Sequence, residues 1–287
     1  MSIAPDTGVG AVRLRVADLD SLAAFYERAV GLRPLAREGD IARLGADGGP
    51  PLVELAAAPG APPRPAASTG LFHLALLVPT RADLARALRR VIGAGWRLTG
   101  ASDHLVSEAL YLNDPEGNGI ELYRDRPRDE WRSGANGELE MATLPLDLDG
   151  VLAELGPGEP DDASSMPAGT RMGHVHLQVS SLDPVEGFYA GALELDVTVR
   201  SYPGALFLSA GGYHHHVGAN IWQTRGAPPP PEGALGLEHW ELALPDEAER
   251  DRLAGRLEAA GAETLELEAG VRTADPSGNR VLLTAPA

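Results

Sequence analysis

Cysteine is absent from the 287 residues. Its absence excludes disulfides, zinc–thiolate and iron–sulfur centres, and a cysteine nucleophile. His, Asp, Glu and backbone oxygen are left as ligands for any metal. Lysine is absent as well, so all 24 cationic residues are Arg. A Schiff-base lysine and the lysine of a phosphate-binding P-loop are thereby excluded. Positive charge is scarce overall: 41 Asp and Glu bring the formal net charge to −17. Phosphate binding needs a basic surface, so no nucleic-acid partner is expected. The charge reads as a solvated, self-repelling surface, which does not forbid a homo-oligomer. No apolar run approaches the length of a membrane span, and no membrane partner is expected. Met1 to Gly10 lacks the basic start and apolar stretch of a secretory signal, which sets a cytoplasmic location as the expectation.

What is present is enough for two ordinary domains with a substantial core, hydrophobic residues making up 44%. The chain repeats itself. Val12–Val16 alternates as a strand, and Asp18–Val30 follows as a helix holding Phe25-Tyr26. Later, His174–Val179 alternates and Ser181–Leu193 follows with Phe188-Tyr189. A second unit also occurs twice. Phe72–Val78 is a strand, Arg81–Ile92 a helix, and Tyr111–Tyr123 carries YLNDPEGNGIELY. Its counterpart runs through His239–Leu244, Asp246–Ala260 and Thr273–Thr284. The shared Asp-Pro-x-Gly-Asn, at Asp114–Asn118 and Asp275–Asn279, reads as a hairpin turn between two strands.

The expected fold is therefore α+β: four βαβββ modules, spanning 9–58, 70–125, 172–224 and 236–285, that pair into curved mixed-sheet half-barrels. The modules group as an N-terminal domain, 9–125, and a C-terminal domain, 171–287. Pro-rich segments at Pro59–Pro65, Pro157–Pro167 and Pro228–Pro231 mark boundaries. Residues 126–170 form a connector, with a short helix expected at Leu148–Leu155.

Aligning Val78, Val179 and Leu244 places His73, His174 and His239 at one position early on the first strand of their modules, where the first module has Ala11. Aligning the two turns sets Glu121 opposite Leu282. A lone strand His is usually a hydrogen-bonded structural residue, but three at one register weaken that reading. Glu121 lies between Ile120 and Leu122, where a carboxylate is costly unless it is paired, metal-bound or turned to solvent. Two imidazoles and one carboxylate on one face of an ion form the facial triad of non-heme Fe(II) oxygenases. Only pairing of modules two and three completes that set, from His73, Glu121 and His174. Modules one and four are then left to pair without it.

The repeat pattern resembles the vicinal oxygen chelate superfamily of glyoxalases, bleomycin-resistance proteins and extradiol dioxygenases. It looks most like the bacterial catechol-2,3-dioxygenase family of the CatE type. GLFHLALLVPTRADLA, ASDHLVSEALYLNDPEGNGIELYRDRPRDEW, GHVHLQVSSL and ALFLSAGGYHHHVGANIW carry the resemblance. The extradiol motif reads here His104, Leu110, Tyr111, Asp114, Pro115, Gly117, Glu121. It departs at Ser102, where the motif prefers Gly, Asn, Thr, Ile or Val. The resemblance implies cleavage of a catechol-type diol by O2 at Fe(II) or, alternatively, Mn(II). It implies His73 and Glu121 as metal ligands, with His174 added by register, and His104 and Tyr111 facing the substrate hydroxyls. An acid/base His would come from His214-His215-His216, expected on a strand with His214 and His216 on one side and His215 on the other. The resemblance leaves open which of them stands near the metal. His176 reads as a substrate contact or a hydrogen-bonded residue, and His239 as structural or part of a second site. Two other readings on this scaffold are a glyoxalase-like metal-dependent lyase or isomerase and a non-catalytic binding or resistance protein. In the second, Phe72, Trp96, Trp222 and Trp240 would line a cleft rather than fill core.

Overall fold

The computed structural model describes residues 2–156 and 165–286; of the expected Pro157–Pro167 boundary, 157–164 lie outside the described residues. The first module holds β1 (Gly8–Val16), α1 (Leu19–Phe25), β2 (Arg33–Glu38), β3 (Ile41–Gly45) and β4 (Pro51–Ala57). The second holds β5 (Gly70–Leu77), α2 (Arg81–Gly93), β6 (Gly100–Asp103), β7 (Ser107–Asn113) and β8 (Gly119–Asp125). The connector adds a 3-10 turn at Arg128–Glu130, β9 (Leu144–Pro145) and α3 (Leu148–Leu152). The third module holds β10 (Arg171–Gln178), α4 (Leu182–Glu186), β11 (Asp196–Val199), β12 (Ala205–Ser209) and β13 (Val217–Asn220). The fourth holds β14 (Gly236–Ala243), α5 (Glu247–Ala259), β15 (Leu265–Leu267), β16 (Gly270–Ala274) and β17 (Arg280–Thr284).

The strands form two mixed sheets. One runs β15-β16-β17-β14-β1-β4-β3-β2, from modules four and one. The other runs β11-β12-β13-β10-β5-β8-β7-β6-β9, from modules three and two with the connector strand at its edge. By internal contacts the chain divides into two units. Met1–Arg15, Ala61–Phe72 and Gly173–Ala287 make one; Val16–Gly60 and His73–Met172 make the other. Three of the borders fall within strands, after Arg15 on β1, Phe72 on β5 and Met172 on β10, and the fourth follows Gly60.

Local chemistry explains the elements. Thr80 caps α2, its hydroxyl oxygen accepting the Asp83 N–H at 3.1 Å, and Leu84, Leu88 and Val91 bury one stripe. Asp246 caps α5 in the same way, through the Glu249 N–H at 2.8 Å. The expected helices at Asp18–Val30 and Ser181–Leu193 each begin as α and finish as a π-helical turn, Tyr26–Val30 and Gly187–Ala192. These turns bury Tyr26 and Tyr189, whose hydroxyls donate to Asp114 Oδ2 (3.4 Å) and Asp275 Oδ2 (3.2 Å). Each Asp organises its hairpin. Asp114 Oδ1 accepts the backbone N–H of Glu116 and Asn118, both at 2.9 Å, and Oδ2 accepts Asn118 Nδ2–H at 2.8 Å. Asp275 repeats this with Ser277 and Asn279. Gly117 and Gly278 take φ of +87° and +83°, which a side chain would strain.

One expectation fails. His214–His216 is not on a strand, because β13 begins only at Val217. Gly211 and Gly212, at φ +60° and +68°, turn the chain after β12 and hold the run in the loop. Alternation of faces therefore does not apply to these three rings.

Candidate metal centre

In the second unit, β8 lies parallel to β5 with Ala75 opposite Glu121, and antiparallel to β7 with Tyr111 opposite Glu121. This register carries Glu121 to His73, whose Nε2 stands 2.9 Å from Glu121 Oε2. Glu121 is only 2% exposed. Its flanking Ile120 and Leu122 are buried too, so the strand has no solvent face at this point. Tyr111 lies beside His73, ring centres 5.6 Å apart, and packs on the cluster of Ala75, Leu77, Ala109 and Tyr123.

His104 follows β6 in a tight turn where Leu105 takes φ +71°. Its Nδ1 is 2.6 Å from the Ala142 carbonyl and its Nε2 is 2.6 Å from the Tyr111 hydroxyl. A carbonyl only accepts, so Nδ1 carries the hydrogen, and in the neutral ring Nε2 accepts the Tyr111 O–H. The tautomer is thus fixed by the connector, whose β9 pairs with β6.

In the first unit, His174 lies buried on β10. The His215 ring sits 4.1 Å from it and the His214 ring 6.1 Å. His214 Nδ1 and His215 Nδ1 are 2.8 Å apart, so one donates to the other. Thr198 Oγ1 donates to the His214 carbonyl (2.7 Å) and Tyr213 stacks on the His214 ring at 4.0 Å. His216 does a different task. Its Nδ1 accepts the Ala210 N–H at 3.1 Å and its carbonyl accepts the Val175 N–H, tying the loop to β10. His176 stands among aromatic rings, and His239 lies on β14 opposite Arg13.

Among the described residues, His73, Glu121 and His174, all buried, each offer one ligand atom, and these atoms lie within 4.8 Å of one another. Two imidazole nitrogens and one carboxylate oxygen form an N,N,O set of single negative charge. Such a set suits a divalent ion of intermediate softness, and it balances charge that burial would otherwise penalise.

Sequence reasoning missed several contributors. Ala142 and Thr198 act through or upon backbone atoms and leave no residue-type signal. Glu54 did leave one: Val53-Glu54-Leu55 on β4 matches Ile120-Glu121-Leu122, and Glu54 lies opposite Arg43 as Glu121 lies opposite Tyr111. There the carboxylate meets a guanidinium, Arg43 Nε, at 2.9 Å.

Residues 8–122 match the Glyoxalase/Bleomycin resistance protein/Dioxygenase superfamily. The chain is 43% identical over 278 residues to the catechol-2,3-dioxygenase of Bacillus subtilis (strain 168), covering 96% of each. Among solved structures, one from Bacillus subtilis subsp. subtilis str. 168 superposes with a TM-score of 0.67 at 14% identity, over 99% of this chain and 86% of that one. Glyoxalase I from Zea mays gives 0.59 at 16% identity, over 98% and 92%. At those identities the solved structures speak for the fold alone. The fold, the buried His–Glu–His group and the full-length similarity together establish that this chain belongs to the catechol-2,3-dioxygenase family of the glyoxalase/bleomycin resistance/dioxygenase superfamily.

Proposed function

We propose that this chain is an extradiol ring-cleaving dioxygenase. It acts on a catechol-type aromatic diol with O2, and His73, Glu121 and His174 hold Fe(II), or Mn(II) as the alternative. The observation that carries this reading is the convergence of two buried imidazoles and one buried carboxylate from three different strands. When bound, a divalent ion there supplies Lewis acidity to the diol hydroxyls and a redox partner for O2.

The chain's own groups do the rest. His214 and His215, coupled through their Nδ1 atoms beside His174, accept the diol proton. The Tyr111 oxygen, its own hydrogen given to His104 Nε2, accepts a hydrogen bond from a diol hydroxyl and orients it. The Ala142 carbonyl holds that pair in place before substrate arrives. His216 keeps the loop seated.

Metal content of anaerobically purified protein and O2 uptake with catechol test the reading together. His73→Ala or Glu121→Ala should weaken metal retention by at least about 100-fold, since even groups that merely support a ligand cost 10–100-fold, and abolish O2 uptake. Either variant keeping full metal and turnover would refute the ligand assignment. Consumption of substrate without O2 would favour an isomerase or lyase instead.

A further inference from the structure

A row of polar side chains continues along β10 beyond the proposed ligand. His174, His176 and Gln178 alternate onto one face of the strand, each step about 6.6 Å. All three are buried. Across the parallel pair with β13, His176 lies opposite Gly218 and Gln178 opposite Asn220. Gly218 leaves the ring room: a Cβ would stand 3.0 Å from His176, tighter than an ordinary contact. Phe72 and Trp222 frame that imidazole, with ring centres 5.2 and 5.6 Å away, and Trp222 is 47% exposed at the rim.

At the far end of the row stands Arg64, from the Pro-rich segment after β4. Its Nη1 donates to the Leu71 carbonyl at 2.6 Å and its Nη2 to Gln178 Oε1. It occupies space that Gly70 leaves open, where a Cβ would be 2.5 Å from Nη1. Both acceptors are neutral, and among the described residues no carboxylate pairs with Arg64. That is out of keeping with this chain, where Arg43, Arg81, Arg124 and Arg252 each meet a carboxylate. Arg90 bonds carbonyls instead, but at the C-terminal end of the π-helical turn, where the helix supplies partial negative charge. Arg64 has no such end beside it. Burial lowers its pKa.

Asn220 points the same way. It is fully buried; its Oδ1 accepts the Trp222 N–H at 3.3 Å, and its Nδ2 has no hydrogen-bond partner. The Trp222 bond fixes which end of the amide is which, so a donor is left unused. A guanidinium without a carboxylate partner, bonded to Gln178, and an unused amide donor on the register partner Asn220 call for an anionic acceptor.

Resting on the dioxygenase reading above, we propose that Arg64, Asn220 and His176 form a subsite for an anionic side group. The preferred substrates are then aromatic diols carrying a carboxylate on a short chain, with Phe72 and Trp222 flanking the ring or spacer.

The test compares kcat/KM of the metal-loaded enzyme for 3-(3,4-dihydroxyphenyl)propanoate and for its primary amide. The acid should be preferred by roughly tenfold or more, the scale of one charge-assisted bidentate contact. Arg64→Met should bring the ratio close to one, while Arg64→Lys keeps part of it. A parental ratio at or below one, or a ratio unchanged by Arg64→Met, overturns the subsite. If Arg64→Met fails to fold, the parental ratio and Asn220→Ala decide. If neither diol is consumed with O2, the dioxygenase reading fails on its own. Binding of 3-phenylpropanoate against 3-phenylpropanamide, followed by tryptophan fluorescence, then judges the subsite separately. Acid binding that is tighter, and lost in Arg64→Met, supports it; equal binding refutes it.

Discussion

The Tyr111 hydroxyl meets His104 Nε2 at 2.6 Å while the Tyr111 ring leans on His73. Removing the oxygen alone therefore separates hydrogen bonding from packing. Tyr111→Phe should leave metal content at the parental level and lower kcat by about 100-fold, the scale of one positioned proton-handling group. O2-uptake kinetics and elemental analysis on the same sample check both halves. At this scale the sequence was readable where a residue violated its surroundings. Glu121 stood out as a carboxylate in an apolar strand, and His73 and His174 shared a repeat register. The faces of His214, His215 and His216 were not readable, because two left-handed glycines take them off the strand. Arg64 was not readable either. Its bonds run to Leu71 and to Gln178, 7 and 114 positions away, and nothing in a Pro-rich segment announces them.

At the scale of elements, the two Asp-Pro-x-Gly-Asn hairpins and the two Phe-Tyr helices were each visible as repeats. Their connection was not. Tyr26 donates to Asp114 across 88 positions and Tyr189 to Asp275 across 86. The pairing is a tertiary fact that no local pattern encodes. Burial is the main reason the Asp114 carboxyl sits above its ordinary range, and the hydrogen bonds it accepts from Asn118 and Glu116 pull against that rise. Those bonds make the hairpin dependent on it. Asp114→Ala strips the acceptor from two backbone N–H groups, an amide and a buried phenol, and should cost about 2–3 kcal/mol. Thermal unfolding would register this as a fall in Tm. A shift inside measurement error would mean the turn is held by Gly117 and strand pairing alone.

For the molecule as a whole, the sheet order agrees with the pairing of modules expected from the sequence. Modules two and three, the pair expected to bring His73, Glu121 and His174 together, share the nine-stranded sheet. Acid response also belongs to the whole molecule. Burial pushes the Glu108 carboxyl up. Hydrogen bonds and charge from Arg81 and Arg124 outweigh it and hold the group below its ordinary 4.5. A depressed carboxylate stabilises the fold above 4.5, and that contribution is lost as pH falls through the lower, folded value. Asp114 and Asp275 are displaced the other way, so they oppose folding when ionised and favour it as they protonate. Glu108→Gln should therefore destabilise by about 2–4 kcal/mol at neutral pH. The Tm gap to the parent should narrow as pH drops below 4.5. A gap that stays constant with pH would show that Glu108 acts by shape rather than charge.

The Ala142 carbonyl that grips His104 belongs to the main chain. Evolution can write almost any amino acid at 142 without loosening that grip. It cannot so freely add or delete residues between Glu140 and Leu144, where the backbone runs from the Glu140–Arg132 hydrogen bond to the pairing of β9 with β6 and sets where the oxygen arrives. This short stretch is thus tolerant in spelling and strict in count.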